Sequence, residues 1–149
     1  VSKIDIQVIV LWPNADAGSA NISKAIRNFR ENNYKSAIHF FKNLSIENYV
    51  KLLDKTKCLV GNSSSGIREG NFIGVPCVNI GSRQKGRDRG LNVIDVDYNC
   101  EKITEAIRKQ IKISKYKSES LYGDGTAGKK IADILSSKLE INIQKMLKF

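Results

Sequence analysis

From Ile6 to about Ile113 the chain alternates short apolar runs with stretches whose apolar residues recur at helical spacing, and this alternation restricts the fold more than any other feature. Ile6 to Trp12 is an apolar run broken only by Gln7 and closed by Pro13, the pattern of a strand covered on both faces. Ile22, Ala25, Ile26 and Phe29 then recur at i, i+3, i+4 and i+7, one apolar face of a helix. Ala37 to Phe41 reads as a second strand. Ile46, Tyr49, Val50 and Leu53 repeat the helical spacing, with Ser45 placed to accept a hydrogen bond from the first turn. Lys57 to Gly61 and Pro76 to Ile80 read as two buried strands around a short glycine-containing helix. Asn92 to Val96 is a fifth strand, and Ile103, Ala106, Ile107 and Ile111 mark another amphipathic helix. A last stripe of Ile131, Ile134, Leu135, Leu139, Ile143 and Met146 predicts a helix from about Thr126 to Leu147, separated from the rest by the polar segment Ser114 to Tyr122.

Strands separated by helices cannot pair as hairpins, so they must be joined by right-handed parallel crossovers. The expected fold is a doubly wound, Rossmann-like α/β sheet. Ligands of such sheets sit outside the carboxyl ends of the strands, which directs attention to the loops after strands one, three and four. A length of 149 residues suits one domain, and 41% hydrophobic with 27% charged residues excludes a wholly disordered chain. The net charge of +10 keeps anionic partners open as a class without choosing among them. No apolar run reaches the roughly 18 to 20 residues that span a bilayer, and no leader pattern is seen, so a soluble, cytoplasmic chain without membrane contact is expected. The start at Val1 suggests a processed or truncated product. Cys58, Cys77 and Cys100 lack C-x-x-C spacing, so reduced thiols are expected rather than disulfides or zinc. His39, inside Ala37 to Phe41, reads as a strand residue.

The most informative stretch is Gly61-Asn62-Ser63-Ser64-Ser65-Gly66-Ile67-Arg68-Glu69, in which a buried strand runs into a small, hydroxyl-rich turn that opens a helix. Free backbone N–H groups and serine hydroxyls there would cradle an anion such as a diphosphate. Gly66 would leave room for a close approach of phosphate or ribose, and Glu69 could accept from a vicinal diol. A serine-rich helix cap with a solvated Glu69 is the plainer alternative. Asn14, in the turn after strand one, is either a ligand contact or an ordinary loop residue. After strand four, Arg83, Lys85, Arg87 and Arg89 concentrate cations at the ligand edge, either as a solvated loop or as contacts to an anionic substrate, with Arg83 the best candidate. Nucleic acid is disfavoured because no aromatic residues interleave with these cations. Gly123-Asp124-Gly125-Thr126-Ala127-Gly128 fits G-x-G-x-x-G but does not follow a strand, so it reads as a turn in which Asp124 or Thr126 caps the last helix.

The Gly61 to Glu69 motif is joined by Gly74-Val75-Pro76, Asn79-Ile80-Gly81, Arg83-Gln84, Gly86-Arg87 and Asn92-Val93, with Pro13-Asn14, Asp16 to Ser19 and Tyr122 to Gly125 also fitting. Together they closely resemble the hydrolysing UDP-N-acetylglucosamine 2-epimerases that release N-acetylmannosamine for sialic-acid synthesis. The likeness runs from about Val8 to Ile134. It implies the C-terminal domain of a two-domain glycosyltransferase-B arrangement, with residues 1–125 forming the nucleotide-binding domain and 126–149 a helix that braces the N-terminal domain. It also implies UDP and UDP-sugar as ligands, contacts at Asn14, around Leu44, at Ser63 and Ser64, and at Glu69 for the ribose, with Arg83 in a matching motif. A homodimer, no cofactor and no metal follow from the same likeness. The family eliminates UDP across C1–C2 to a glycal and adds water, using carboxylates and a histidine that lie upstream. None maps here, so no catalytic residue and no activity are expected of this stretch alone. The competing readings are a donor-binding domain of a glycosyltransferase-B transferase and a non-catalytic nucleotide-binding module.

Overall fold

Each apolar run becomes a short parallel strand and each stretch of helical spacing a helix. The computed structural model describes residues 6–15, 18–32 and 37–137. In chain order these contain β1 (Val8–Leu11), α1 (Ser19–Asn32), β2 (Ile38–Phe41), α2 (Ile46–Lys55), β3 (Leu59–Gly61), a 3₁₀ turn at Ser64–Gly66, α3 (Glu69–Ile73), β4 (Cys77–Ile80), β5 (Val93–Val96), α4 (Cys100–Gln110) and α5 (Ala127–Ser136). Local chemistry sets several of the ends. The Ser45 hydroxyl accepts from the Asn48 N–H and starts α2, and the Asn99 side chain accepts from Lys102 N–H and starts α4. Gly74, at φ +81°, ends α3 in a left-handed conformation that suits glycine.

Every strand pair is parallel, as the helical crossovers require. Among the described residues the strands form two ladders, β1–β2 and β3–β4–β5, where the sequence suggested one continuous sheet. In the first, Val8 faces Ile38 and Leu11 faces Phe41. In the second, Leu59 faces Cys77, and Cys77 faces Val93.

The second ladder carries the core. Val78, Ala106 and Ile107 are buried together, and Cys58, Val60, Ile80, Ile94, Val96, Ile103 and Ile111 pack around them, so α4 lies across β4 and β5. Full burial of a side chain such as Val78 or Ile107 contributes about 1.5–3 kcal/mol. Strand β1 differs from its expected form. Ile6 and Ile9 are about two-fifths exposed and no residue of α1 is fully buried, so this unit is not covered on both faces. Nor does the polar stretch after α4 merely separate elements. Tyr116 donates its N–H to Gly74 O and its hydroxyl to Gln110 Oε1, both at 2.8 Å, and Ser118 Oγ donates to Phe72 O. The stretch thereby straps α3 to α4.

Buried polar groups complete the lock. Asn92 Nδ2 donates to Gly66 O (3.0 Å) and Val75 O (2.8 Å), and Gln110 Nε2 donates to Cys77 O and Asn92 O at 2.8 Å. Such pairing is what permits an amide side chain to be buried at all. On α5, Ile131, Ile134 and Leu135 are more than half exposed; Leu139, Ile143 and Met146, on which the longer helix was expected, lie outside the described residues. No helix among the described residues is long and apolar enough to cross a membrane.

Candidate functional site

The loops after β1, β2, β3 and β4 all leave the carboxyl edge of parallel strands, and the best-defined is the serine turn after β3. Gly61 ends that strand at φ +150°. Ser63 caps the turn, its hydroxyl accepting from Ser65 N–H at 3.3 Å, while Ile67 and Arg68 donate their N–H groups to Ser64 O. Ser65 is committed elsewhere: it is buried, and the Tyr49 hydroxyl donates to its Oγ at 2.8 Å, tying α2 to the turn. Among the described residues the Ser64 N–H and hydroxyl meet no partner, and Ser63 is exposed. A three-residue 3₁₀ turn followed by a five-residue helix develops little macrodipole. The anion-binding capacity of this turn therefore comes from individual hydroxyl and N–H donors and not from a helix end.

The basic loop after β4 is held to this turn. Gln84 is only 3% exposed and donates Nε2 to Asn62 O at 2.8 Å. Arg89 donates Nε to Asp95 Oδ2 at 3.1 Å and its terminal nitrogens to Gln84 O (2.6 Å) and Arg87 O (2.5 Å). Asp95 also accepts from Asn79 Nδ2 at 2.6 Å, and Tyr122 donates its hydroxyl to Asp88 O at 2.9 Å. Of the four cations that the sequence grouped here, Arg89 thus organises the loop from within, whereas Arg83, Lys85 and Arg87 are exposed.

Gly66 needs a different explanation from the one its sequence suggested. A Cβ there would run into Cys77 Sγ and stand 3.1 Å from Leu59 Cδ2, so the missing side chain lets the turn pack on β3 and β4 rather than admit a ligand. Glu69 is exposed as the first residue of α3, and Leu44 is half-buried before α2, its N–H donating to Asn43 Oδ1 at 2.9 Å. Asn14 is exposed after β1. Tyr49 and Gln84 join the segments bearing Leu44, Ser63, Ser64, Glu69 and Arg83 into one hydrogen-bonded unit, while Asn14 follows β1 of the other ladder.

Sequence reasoning placed Tyr49 only on a helix face, and Asn92, Tyr122 and Gln84 only within matching motifs, and foresaw none of their hydrogen bonds. The signal available for Gln84 and Asn92 was an amide between apolar or glycine positions. In the glycine-rich segment neither expected side chain caps α5: Thr126 holds the cap position without a side-chain bond to the helix, and the Asp124 carboxylate accepts from Thr126 N–H and Oγ1 in the turn before it, which holds it below the usual carboxylate range. Burial pushes the Cys58 and Cys77 thiols up to about 12, so neither is a nucleophile near neutral pH. His39 lies on the exposed face of β2, and no metal-holding cluster occurs among the described residues. The edge can offer hydroxyl donors, cations and the Glu69 carboxylate, a set suited to holding a phosphorylated diol.

A family model described as UDP-N-acetylglucosamine 2-epimerase matches residues 1–136. A UDP-N-acetylglucosamine 2-epimerase of Neisseria meningitidis serogroup B is 28% identical over 145 residues, 95% of this chain and 37% of the relative. A UDP-N,N'-diacetylbacillosamine 2-epimerase (hydrolyzing) of Legionella pneumophila is 32% identical over 133 residues, 89% of this chain and 34% of the relative. A GDP/UDP-N,N'-diacetylbacillosamine 2-epimerase (hydrolyzing) of Campylobacter jejuni is 42% identical over 87 residues, 58% of this chain and 22% of the relative. The chain spans about a third or less of the length of these curated relatives.

Proposed function

The chain belongs to the UDP-N-acetylglucosamine 2-epimerase family, and from that premise we propose that it forms the UDP-holding part of a hydrolysing epimerase that converts UDP-N-acetylglucosamine and water to N-acetylmannosamine and UDP, in a sialic-acid type of pathway. The observation that carries the reading is the serine turn coupled to a basic loop at one carboxyl edge, within a stretch that the family model matches. In this reading Ser63 and Ser64 donate hydroxyls to the diphosphate, Arg83 adds positive charge beside it, Glu69 accepts from the ribose hydroxyls, and Asn14 and the Leu44 loop meet the rest of the nucleotide.

The reaction breaks the bond from C1 to the UDP oxygen while a base removes the C2 proton, leaving a glycal to which water adds. Charge grows on the departing diphosphate, and donors already fixed around it lower the barrier without reorganising. The proton transfers are assigned to parts of the family's sequence that these 149 residues do not span. Residues 126–149 are assigned to bracing those parts, and a homodimer is the proposed assembly. The chain alone then binds UDP weakly and turns over no nucleotide sugar.

A second substrate reading, a diacetamido sugar nucleotide, is favoured by the higher identities of the Legionella and Campylobacter relatives, at 32% and 42%. Nuclear magnetic resonance titration with UDP tests the site. Ser63→Ala and Glu69→Ala should each weaken binding by roughly fivefold, the worth of about one hydrogen bond. If both variants bind like the parent, the nucleotide lies elsewhere. Offering UDP-N-acetylglucosamine and its diacetamido counterpart to a polypeptide of full family length separates the two substrates by which one releases UDP.

A further inference from the structure

Gln84 is buried to within 3% of complete exclusion, yet it sits in a loop whose neighbours Arg83 and Lys85 are exposed. Its Nε2 reaches across to Asn62 O at 2.8 Å, and its own carbonyl accepts from Arg89 at 2.6 Å. Among the described residues its Oε1 has no hydrogen-bond partner. A buried acceptor without a partner costs stability, and an apolar side chain of the same length would avoid that cost. Asn62, whose carbonyl takes the bond, is itself half-buried. A glutamine at this position therefore carries a stability cost at Oε1.

Geometry gives a reason to keep it. The bond joins the turn after β3 to the loop after β4, the strand paired with it. Arg83 precedes Gln84 in sequence, and Ser63 follows Asn62, so this hydrogen bond ties the segment bearing the cation to the segment bearing the hydroxyl donors. We propose that Gln84 is a positioning residue for diphosphate recognition, a strut that holds the basic loop against the serine turn so that both can contact one ligand. Arg89 secures the strut from behind by binding the Gln84 carbonyl and Asp95. This inference rests on the reading of the edge as a UDP site. It adds that affinity for the diphosphate depends on a residue that does not touch it.

Gln84→Met keeps length and volume and removes both polar atoms. Titrated by nuclear magnetic resonance, the variant should bind UDP roughly fivefold more weakly, bind uridine as the parent does, and melt no lower than the parent. A purely structural role would move uridine and UDP together and lower the melting temperature. Equal weakening for the two ligands, or unchanged UDP binding while Ser63→Ala is impaired, overturns the strut and leaves the site standing. If Ser63→Ala and Glu69→Ala also bind normally, the site itself fails and the strut with it. Should Gln84→Met not fold, the parent decides alone: its Gln84 side-chain amide protons should exchange slowly with solvent, and exchange at the rate of a free amide overturns the proposal.

Discussion

Gly66 shows at the scale of one residue how a correct motif can carry a wrong reason. Its place in a serine-rich turn was visible in the sequence, but the strand behind it was not, and the atoms a Cβ would meet belong to Leu59 and Cys77 on that strand pair. Gly66→Ala should lower stability by about 1–3 kcal/mol, the usual cost of forcing extra volume into a packed site. Urea denaturation measures it, and adding Cys77→Ala should recover part of the loss by clearing the sulfur. The cysteines support a second expectation. With burial holding Cys58 and Cys77 up at about 12, an aromatic disulfide reagent at pH 8 should titrate Cys100 alone in the folded chain and all three thiols in urea. The same shifts set a pH dependence. The folded state keeps these protons when the unfolded chain, with thiols near 9.0, has lost them. The stability they contribute is fully present below about pH 9 and falls as pH rises toward 12.

Elements were the most legible level, because 3.6-residue and strand-like periods are properties of local sequence. All five strands and helices α1, α2 and α4 lie where the apolar spacing put them, whereas α3 was expected only as a short glycine-containing helix, and α5 stops at Ser136, before an extended Ser137, where a helix to about Leu147 was expected. Burial was less legible. Ile6 to Trp12 and Pro76 to Ile80 read alike as apolar runs, yet Ile9 in β1 is 39% exposed whereas Val78 in β4 is completely buried. Which run receives a covering helix depends on contacts far along the chain, here α4 crossing β4 and β5, and a local period does not encode them. The unequal burial predicts unequal protection. Native-state hydrogen exchange should show β1 and β2 amides opening at lower free energy than those of β4, since local opening follows the apolar contacts that must be broken. Ile107→Ala should cost about 2–5 kcal/mol, and Ile131→Ala, on the exposed face of α5, no more than about 0.5 kcal/mol. Equal losses would mean that α5 is covered as α4 is.

For the whole molecule, the net charge of +10 becomes informative once its cations are sorted by position. Lys85 and Arg87 stand exposed on the loop at the carboxyl edge, Arg89 is spent on Asp95 and two loop carbonyls, and Arg108 and Lys109 sit in the last turn of α4. That helix starts after β5 at the carboxyl edge and runs 11 residues, which carries its last turn roughly 16 Å toward the opposite edge. Charges separated by more than about 8–10 Å are largely screened at physiological salt. The total charge should therefore matter little to the proposed nucleotide, and the two loop cations should matter much. Raising the salt concentration tenfold should weaken UDP binding several-fold while leaving uridine binding nearly constant. Lys85→Gln with Arg87→Gln should flatten that dependence, and Arg108→Gln with Lys109→Gln should leave it as steep as in the parent. Were the two pairs to act alike, attraction by the overall charge would account for the salt effect, and the basic loop would lose its assignment beside the diphosphate.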